Sequence, residues 1–409
     1  MSDQASFLSA DVAVVGRGAI GAATALVLAR QGRSVALVGP EAVARERVAP
    51  GLDNRVFALS PASRQLLGSL GVWQALEPAR LAPVYDMHVH AEQGQGARAL
   101  DFSAYEAAVE ALAWIVEGGD LTRALNQALG FSSIRRLDST VTRLDLSGPA
   151  HAILELANGQ KVRARLVVGA DGADSSVRRL AGIEAKFADY PQRAIVANFE
   201  TAQPHRDAAR QWFGEQGVLA LLPLPSPDSA TGGGRTSIVW SAPLELADEL
   251  LALAPDQLAM RIEALCGASL GTMTPLSRVD SYPLRLGQVS RLIGLRVAVV
   301  GDAAHVVHPL AGQGMNLGFG DIASLRDALA GAPDPGERAV LRRYERSRAE
   351  PVLTMRLLTD ALQKLFDPGH GASLGALAGP LRAARDLGWR IVSESGWLRR
   401  RLIEHAARQ

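Results

Sequence analysis

Three separate stretches of the chain combine glycine with groups that could hold a ligand. The longest, residues 296–327, reads RVAVVGDAAHVVHPLAGQGMNLGFGDIASLRD. Its apolar, β-branched opening predicts a buried strand. Asp302 then places a carboxylate at the carboxyl end of that strand, where open α/β sheets bind ligands. A glycine-rich loop follows, and a helical pattern begins near Met315. Because glycine lets a ligand approach the backbone and a helix N-terminus offers unpaired N–H groups, this loop suits a flat, polar, electron-rich group.

The second stretch is the glycine-rich turn GRGAIG, residues 16–21, between a predicted strand over 11–15 and an apolar helix over 20–30. Gly16 permits the tight turn, Gly18 lets a diphosphate approach, and Gly21 lets helix and strand pack closely. A further strand over 34–38 completes the βαβ context that this motif requires. The acid that usually ends that strand and binds a ribose is replaced by Gly39. Either Glu41 reaches back or the ribose loses a hydrogen bond, at a cost of about 1–3 kcal/mol in binding.

The third stretch, residues 166–178, reads LVVGADGADSSVR. Its apolar run predicts another buried strand, which ends just before Asp171 and Gly172. Asp174 and Ser175 are typical helix-capping residues, so we expect a helix to begin there.

These stretches resemble the motifs of class A flavoprotein monooxygenases. GADGADSSVR is similar to the DG motif of that class. GDAAH followed by HPLAGQGMNLGFGD resembles its second FAD-binding motif and, more narrowly, the signature of the ubiquinone-biosynthesis hydroxylase family. DNRVFALS, residues 53–60, resembles the DxRxxAL segment of the same hydroxylases. The resemblance covers nearly the whole chain and implies that the three motifs assemble a single FAD site.

The resemblance also implies roles for individual residues. Asp302 would bind the ribityl chain, and backbone N–H groups of residues 312–316 would face the pyrimidine edge of the flavin. Asp171 would support the flavin site and the docking of the nicotinamide donor. Arg55 would lie near the flavin and the diphosphate, the alternative being a surface salt bridge with Asp53.

One departure from the family pattern concerns Gly118, since related sequences usually carry Asn there. Arg123 would compensate for the missing side chain, or else it is an ordinary surface arginine. The predicted cofactor-binding residues are Gly16, Gly18, Ala19, Ile20, Gly21, Glu41, Arg55, Arg123, Asp171, Gly172, Gly301, Asp302, Pro309, Gly312, Gln313, Gly314, Met315 and Asn316.

No side chain is assigned a certain catalytic role. His308 is the candidate for proton transfer, although His305 and His308 suit a positional role in the loop better. His88 and His90 share the i, i+2 spacing of some metal ligands, but no third ligand accompanies them, so no metal site is expected.

The family resemblance implies a reaction in two halves. NAD(P)H reduces FAD, and O2 then adds to give a flavin C4a-hydroperoxide that hydroxylates an electron-rich ring. The substrate would be a polyprenylated phenol or quinol of ubiquinone biosynthesis. Two alternatives stay open, namely a hydroxylase of a small soluble phenol and a low-turnover flavoprotein that serves as a scaffold in a biosynthetic complex. A halogenase is disfavoured because no WxWxIP segment occurs.

The implied fold class is α/β, with a Rossmann-like FAD-binding lobe of the para-hydroxybenzoate hydroxylase type, an inserted mixed β-sheet lobe for the substrate and C-terminal helices. The FAD-binding lobe would comprise residues 1–82, 105–185 and 286–345, the substrate lobe residues 83–104 and 186–285, and the helical region residues 346–409. Five apolar residues of the substrate lobe would suit a greasy aromatic substrate, or would be plain sheet core: Leu219, Leu221, Leu222, Val239 and Trp240.

Composition limits the remaining possibilities. A formal net charge of +1 over 409 residues gives no argument for a nucleic-acid partner, and the single Cys266 excludes an internal disulfide. No signal peptide or membrane-spanning run is evident, which favours the cytoplasm. In residues 382–409, seven Arg outnumber three acids among Trp and aliphatic residues. This segment would either lie on an anionic membrane surface or pack on the flavin lobe. The expected partners are a lipophilic aromatic substrate, O2 and other ubiquinone-biosynthesis proteins.

Overall fold

The computed structural model describes residues 7–41, 52–90, 99–226, 232–306 and 313–366. Their elements form an α/β fold with three sheets. In chain order they are β1 (Leu8–Val15), α1 (Ala19–Arg30), β2 (Val35–Val38), β3 (Val56–Leu59), α2 (Pro61–Ser69), β4 (Ala82–Val84), β5 (Asp86–His90), β6 (Ala99–Ser103), α3 (Ala104–Ala107), β7 (Ala113–Glu117), α4 (Gly118–Gly130), β8 (Arg135–Leu137), β9 (Val141–Asp145), β10 (Ala152–Leu156), β11 (Lys161–Gly169), α5 (Ser176–Leu180), β12 (Ala185–Thr201), β13 (Ala208–Gly214), β14 (Gly217–Leu224), β15 (Gly234–Pro243), α6 (Leu244–Ala252), α7 (Pro255–Leu265), β16 (Met273–Pro275), β17 (Asp280–Val289), β18 (Ile293–Gly294), β19 (Val297–Val299), β20 (His305–Val306), α8 (Gln313–Leu329) and α9 (Arg338–Phe366).

The first sheet carries the ends of the three glycine-containing stretches. Its strand order is β18-β19-β11-β1-β2-β8. In addition, β10 pairs with β11, and β9 pairs with β10. Strand β1 runs parallel to β2 and β11, and β11 runs parallel to β19. Val15 pairs with both Val38 and Gly169, and Gly169 also pairs with Val299. The carboxyl ends of four strands therefore meet at one edge of the sheet. The inner strands are continuous apolar runs, as expected for a sheet whose faces are both covered.

The second sheet has the order β20-β17-β12-β15-β14-β13-β5-β6, with β16 attached to β12. Helices α6 and α7 cover one of its faces, and Trp240, Phe199 and Ile262 belong to the core beneath them. Residues 193–200, 218–223 and 236–240, whose sequence pattern is strand-like, lie within β12, β14 and β15. A small third sheet, β3-β7-β4, completes the fold. The predicted fold class is confirmed.

Several details differ from the sequence-based expectations. A single helix, α9, contains Pro351 and continues across the expected boundary at residue 346. Strand β13 and helix α6 were not predicted. Cys266 is buried, and burial raises the pKa of its thiol. Residues 382–409 lie outside the described residues.

Among the described helices, none combines the length and the apolar character that a membrane crossing would require.

Candidate functional site

The three motifs converge at the carboxyl edge of the first sheet. A Cβ atom built on Gly16 would lie 2.1 Å from the Ala170 carbonyl oxygen, so the first motif touches the strand end that precedes Asp171. A Cβ atom on Gly301 would lie 3.0 Å from Cγ2 of Ile20, so the last motif touches helix α1. We call this place, formed by residues 16–21, 169–172 and 300–302, the motif corner. Gly16 and Gly21 are required because backbone segments approach them more closely than a side chain allows.

The N-terminus of α1 is free to meet a ligand. Gly18 is the residue that precedes the helix, no side chain caps it, and the first turn holds no acid. A Cβ atom on Gly18 would meet nothing within 4 Å. The first N–H groups of the helix, from Ala19 onward, have no intrahelical partner. The side chain of Ile20 is half-buried against Gly301 and Gly318. This arrangement fits the diphosphate of a dinucleotide.

The strand end that usually carries the ribose-binding acid has a different arrangement here. Gly39 has a φ of +143°, a conformation that other residues rarely adopt. The buried Arg17 side chain donates from Nη1 to the Gly39 carbonyl oxygen at 3.3 Å. Its Nη2 lies 3.8 Å from Oε2 of the exposed Glu41. Glu41 thus reaches back toward the glycine turn and pairs with an arginine of that turn.

Asp171 makes its hydrogen bonds with its own chain. Its Oδ2 accepts from Ser176 N at 2.7 Å, from Ser176 Oγ at 2.8 Å and from Val177 N at 3.2 Å. Asp171 therefore fixes the first turn of α5. Through these bonds the Asp171 carboxylate stabilises the motif corner. That Asp171 contributes to the flavin site, and that Gly172 contacts FAD, remain predictions.

The cap of α5 was only partly predicted. Ser175 caps the helix, accepting from Arg178 N at 3.0 Å. The prediction that Asp174 is also a cap was wrong, because its side chain is 89% exposed and lies 3.8 Å from Arg285. From α5, Arg178 donates to the carbonyl oxygens of Ala173 at 2.7 Å and Ala303 at 3.1 Å, which ties this helix to the Asp302 segment.

Asp302 stands on a short helical turn, Gly301–Ala303, directly after β19. Solvent reaches the side chain from its open side. Protein on its other sides raises the pKa of the carboxyl, an effect that the charges of Arg55 and His305 partly offset. A carboxylate that is surrounded by protein but open on one side fits the predicted contact with hydroxyl groups of a cofactor.

Arg55 is exposed, and its guanidinium lies 5.1 Å from the centre of the Phe57 ring. Asp53, the alternative partner considered for Arg55, is buried. Its Oδ1 accepts from Arg55 N at 2.9 Å and its Oδ2 from Gly119 N at 2.8 Å. The carboxylate thus holds the backbone of Arg55, and the cation acts electrostatically on Asp302.

Helix α8 begins at Gln313 and carries Gly314, Met315 and Asn316 in its first turn. Three hydrogen bonds hold the amide of Asn316: its Oδ1 accepts from Ser60 N at 2.9 Å and from Ser63 Oγ at 2.8 Å, while Nδ2 donates to Ala58 O at 2.8 Å. Met315 packs against the main core. Pro309, Gly312 and His308 lie outside the described residues.

Arg123 lies on α4 and pairs with Asp120. Arg80 joins the same cluster, with Nη2 2.5 Å from Glu117 and Nε 2.8 Å from Asp120. A Cβ atom on Gly118 would lie 3.2 Å from Arg55 O, and Gly118 N donates to that oxygen at 2.7 Å. The backbone of Gly118 therefore supports Arg55, and a cofactor contact of Arg123 stays a prediction.

The sequence analysis missed a buried ionic cluster behind the motif corner. Asp321 on α8 is fully buried, with Oδ1 2.7 Å from Arg348 Nε and Oδ2 2.8 Å from His305 Nε2. Burial alone would raise the pKa of Asp321, but the charges of His305 and Arg348 hold it below its ordinary value. A signal existed: Leu317, Asp321 and Leu325 share one helix face at i, i+4 and i+8, which puts an acid in a core position.

The two histidines of β5 have separate partners. His88 Nδ1 lies 2.6 Å from Asp101, and His90 stacks on Trp212 at 5.0 Å between ring centres. Within the described parts of the chain, no group of three or more His, Cys, Asp or Glu side chains is placed to hold a metal ion.

The apolar residues considered for the substrate divide between two faces of the second sheet. Leu219, Leu221 and Trp240 belong to the core under α6 and α7, so the alternative of plain sheet core is correct for them. Leu222 and Val239 lie in a different apolar cluster with residues of the third sheet.

Comparison with known proteins agrees with this geometry. The family model described as FAD binding domain matches residues 9–355. The chain is 37% identical to "Ubiquinone hydroxylase UbiL" of Rhodospirillum rubrum, over 97% of this chain and 89% of that protein. It is 33% identical to "3-demethoxyubiquinol 3-hydroxylase" of Escherichia coli, over 97% of this chain and 98% of that protein. Among solved structures, PqsL of Pseudomonas aeruginosa, a probable FAD-dependent monooxygenase, matches with a TM-score of 0.70 and 25% identity, over 88% of this chain and 97% of that chain.

Proposed function

Since the chain belongs to the FAD-binding-domain family of flavoprotein monooxygenases, alongside the ubiquinone-biosynthesis hydroxylases, we propose that it hydroxylates the aromatic ring of a polyprenylated phenol or quinol in ubiquinone biosynthesis. NAD(P)H is the electron donor and O2 supplies the oxygen atom. The observation that carries the proposal is the convergence of Gly16, Asp171 and Gly301 at one sheet edge.

The residues of the motif corner fit FAD. The open N-terminus of α1 at Gly18 receives the diphosphate, and Asp302 binds the ribityl hydroxyls. Arg55 provides a cation beside the negative charge of the reduced ring, and Glu41 faces the adenosine end. Backbone N–H groups of the first turn of α8 face the pyrimidine edge. Bound FAD supplies the electron transfer and the oxygen activation that the reaction needs.

The protein contributes an orienting and water-excluding surface. Ala220, Leu222 and Val239 lie on the face of the second sheet opposite α6 and α7, where they pack with residues of the third sheet. On the same sheet, Asn198 Nδ2 donates to Asp53 O at 3.2 Å, two residues before Arg55. We place the substrate ring beside this apolar cluster, since a lipophilic ring is bound best by apolar residues with a few polar groups. Exclusion of water there favours oxygen transfer over release of peroxide.

Purified protein tests the proposal directly. We expect a yellow preparation with a flavin spectrum, and NAD(P)H oxidation that a prenylated phenol in detergent stimulates, with a product heavier by one oxygen atom. Hydrogen peroxide is measured alongside to separate hydroxylation from uncoupled oxidation. A colourless protein that does not take up added FAD would contradict the proposal. Hydroxylation of 4-hydroxybenzoate-like compounds alone would support the soluble-phenol alternative, and bound FAD without any turnover would support the scaffold alternative.

A polyprenylated substrate would lie in a membrane, so the proposal includes a membrane-contacting segment. Residues 382–409, with seven Arg and three acids, would contact an anionic membrane surface. Full-length protein and a variant lacking these residues are compared in pelleting with liposomes that contain anionic lipid. Equal pelleting of the two proteins would remove this part of the proposal.

A further inference from the structure

The cluster of Asp321, His305 and Arg348 connects three elements directly behind the motif corner. Asp321 lies on α8, Arg348 on α9, and His305 on the short strand β20. All three side chains are at most 5% exposed. The same Oδ2 atom of Asp321 that lies near His305 also accepts from Gly301 N at 2.9 Å.

The bond to Gly301 acts on a part of the corner that favours glycine. Gly301 has a φ of +60°, and a Cβ atom built on it would lie 3.0 Å from Ile20 Cγ2, which leaves little room for a side chain. The next residue is Asp302, the carboxylate proposed to bind the ribityl chain. Fixing the Gly301 N–H therefore fixes the direction in which Asp302 leaves the strand end.

Helix α9 completes the arrangement from the other side. Arg348 donates from Nε to Asp321 and from Nη2 to Leu317 O at 3.1 Å, so it also holds the backbone of α8 near its first turn. A Cβ atom on Gly320 would lie 3.0 Å from Arg348 Nη1, so glycine at position 320 leaves space for the guanidinium beside α8. One turn earlier on α9, Tyr344 donates to Val299 O at 2.8 Å, at the end of β19.

We propose that Asp321, held in place by Arg348, is a positioning residue for FAD: it sets the Gly301–Asp302 turn and the start of α8 in the geometry that receives the flavin. The inference rests on the proposed function, because it concerns the same site. Neither side chain is assigned contact with the reacting atoms. Their effect passes through Gly301 N and the backbone of α8.

The test compares this pair with a similar pair at the opposite end of β19. Arg296, just before β19, makes two parallel bonds to Asp334, at 3.0 and 2.9 Å. Asp321→Asn and Arg348→Met perturb the proposed pair, and Arg296→Met and Asp334→Asn perturb the control pair. FAD dissociation constants are measured by quenching of flavin fluorescence, and melting temperatures are measured with and without FAD. Arg348→Lys serves as the conservative variant.

We expect the dissociation constant for FAD to rise about tenfold or more in Asp321→Asn and Arg348→Met, which corresponds to about 1.4 kcal/mol. FAD should also raise their melting temperature less than it raises that of the parent protein. Arg348→Lys should recover part of the affinity. The control variants should melt earlier without FAD, yet bind FAD as the parent protein does.

Equal losses of FAD affinity in both pairs, or melting changes without any affinity change at Asp321, would overturn the inference. If the single variants do not fold, the double variant Asp321→Asn/Arg348→Met, which leaves no uncompensated charge of the pair, is measured in their place. A parent protein that does not bind FAD would instead contradict the proposed function itself, so the two failures are distinguishable.

Discussion

The Asp302 carboxyl is surrounded by protein on all sides but one, which is open to solvent. Its protonation should therefore change the affinity for FAD. Burial raises the pKa of its carboxyl above the ordinary value of about 3.9. The ionised form accepts hydrogen bonds from ribityl hydroxyls better than the neutral acid does. We predict that FAD affinity falls in mildly acidic solution as this carboxyl is protonated. Asp302→Asn should bind FAD about 1–3 kcal/mol more weakly at neutral pH and should lack the acidic step. Titration of FAD binding over pH checks both, and an unchanged pH profile in the variant would contradict the assignment.

Glu41 offers a second prediction for a single residue. It lies 3.8 Å from Arg17 and is exposed, so a ligand can reach its carboxylate. If it binds the ribose in place of the missing acid at Gly39, Glu41→Gln should weaken FAD binding by about 1 kcal/mol. The binding of FMN, which has no adenosine, serves as the control and should not change. Equal effects on both flavins, or on neither, would remove Glu41 from the adenosine site.

Helix α5 shows how one element depends on its first turn. Ser175 provides one capping bond, whereas Asp171 binds Ser176 N, Ser176 Oγ and Val177 N. Ser175→Ala should lower the free energy of unfolding by about 1 kcal/mol, the usual cost of losing a cap. Asp171→Ala should lower it further because more bonds are lost. Urea denaturation of both variants measures the difference, and a smaller loss in Asp171→Ala would show that the cap does not depend on its carboxylate.

At the level of elements, the sequence predicted what local chemistry determines. The ends of β1, β11 and β19 were predictable because an apolar run meets glycine and a turn at each of them. The choice between Asp171 and Asp174 as the group that caps α5 was not, since both precede the helix and only the path of the turn decides. Strand alternation puts Leu221 and Leu222 on opposite faces of the sheet, but it does not reveal which face α6 and α7 cover, so both residues were considered for the substrate.

The ionic cluster at Asp321 illustrates a different limit. Its position in a helical pattern marks it as a buried acid, but its partners are 16 and 27 residues away, at His305 and Arg348. No local pattern connects them, because only the packing of α9 on α8 brings Arg348 there. The contact of Asn198 with Asp53 was unpredictable for the same reason. It joins β12 of the second sheet to the loop that precedes β3.

At the scale of the whole molecule, the loop of residues 53–55 connects the motif corner to the second sheet. Asn54 Nδ2 donates to Arg278 O at 2.8 Å and lies 3.0 Å from Oδ2 of Asp280, at the start of β17. Asn198 of β12 reaches the same loop. The backbone of Arg55 is fixed on the other side by Asp53 and Gly118. A shift of the second sheet would therefore move the cation beside Asp302, which gives the two parts of the proposed site a physical connection.

The stability of the whole chain should depend on pH through a few carboxylates of the first sheet and its helices. Bonds to Arg296 lower the pKa of Asp334, and the balance of burial against hydrogen bonds from Ser34 lowers that of Asp11. The pKa of Asp321 is lowered as well, because the charges of His305 and Arg348 outweigh its burial. A lowered pKa contributes stability that is fully present above the ordinary value of about 3.9 and is lost as pH falls through the lower value of the folded state. Asp302 acts in the opposite direction, because its raised pKa means that protonation favours the folded state. The pKa values of Asp145 and Glu155, on β9 and β10 of the same sheet, are lowered as well. With five carboxyl groups lowered against one raised, we predict that the apo protein loses stability steeply below about pH 4.

Urea midpoints measured at a series of pH values check this prediction. Asp334→Asn removes one of these contributions without touching the motif corner. This variant should be less stable than the parent at neutral pH, and the difference between the two should shrink as the solution becomes acidic, because the parent then loses the same interaction by protonation. A difference that stays constant down to pH 3 would mean that the Asp334 carboxylate owes its effect to shape and packing, and the loss of stability in acid would have to be explained by the other carboxyl groups with a lowered pKa.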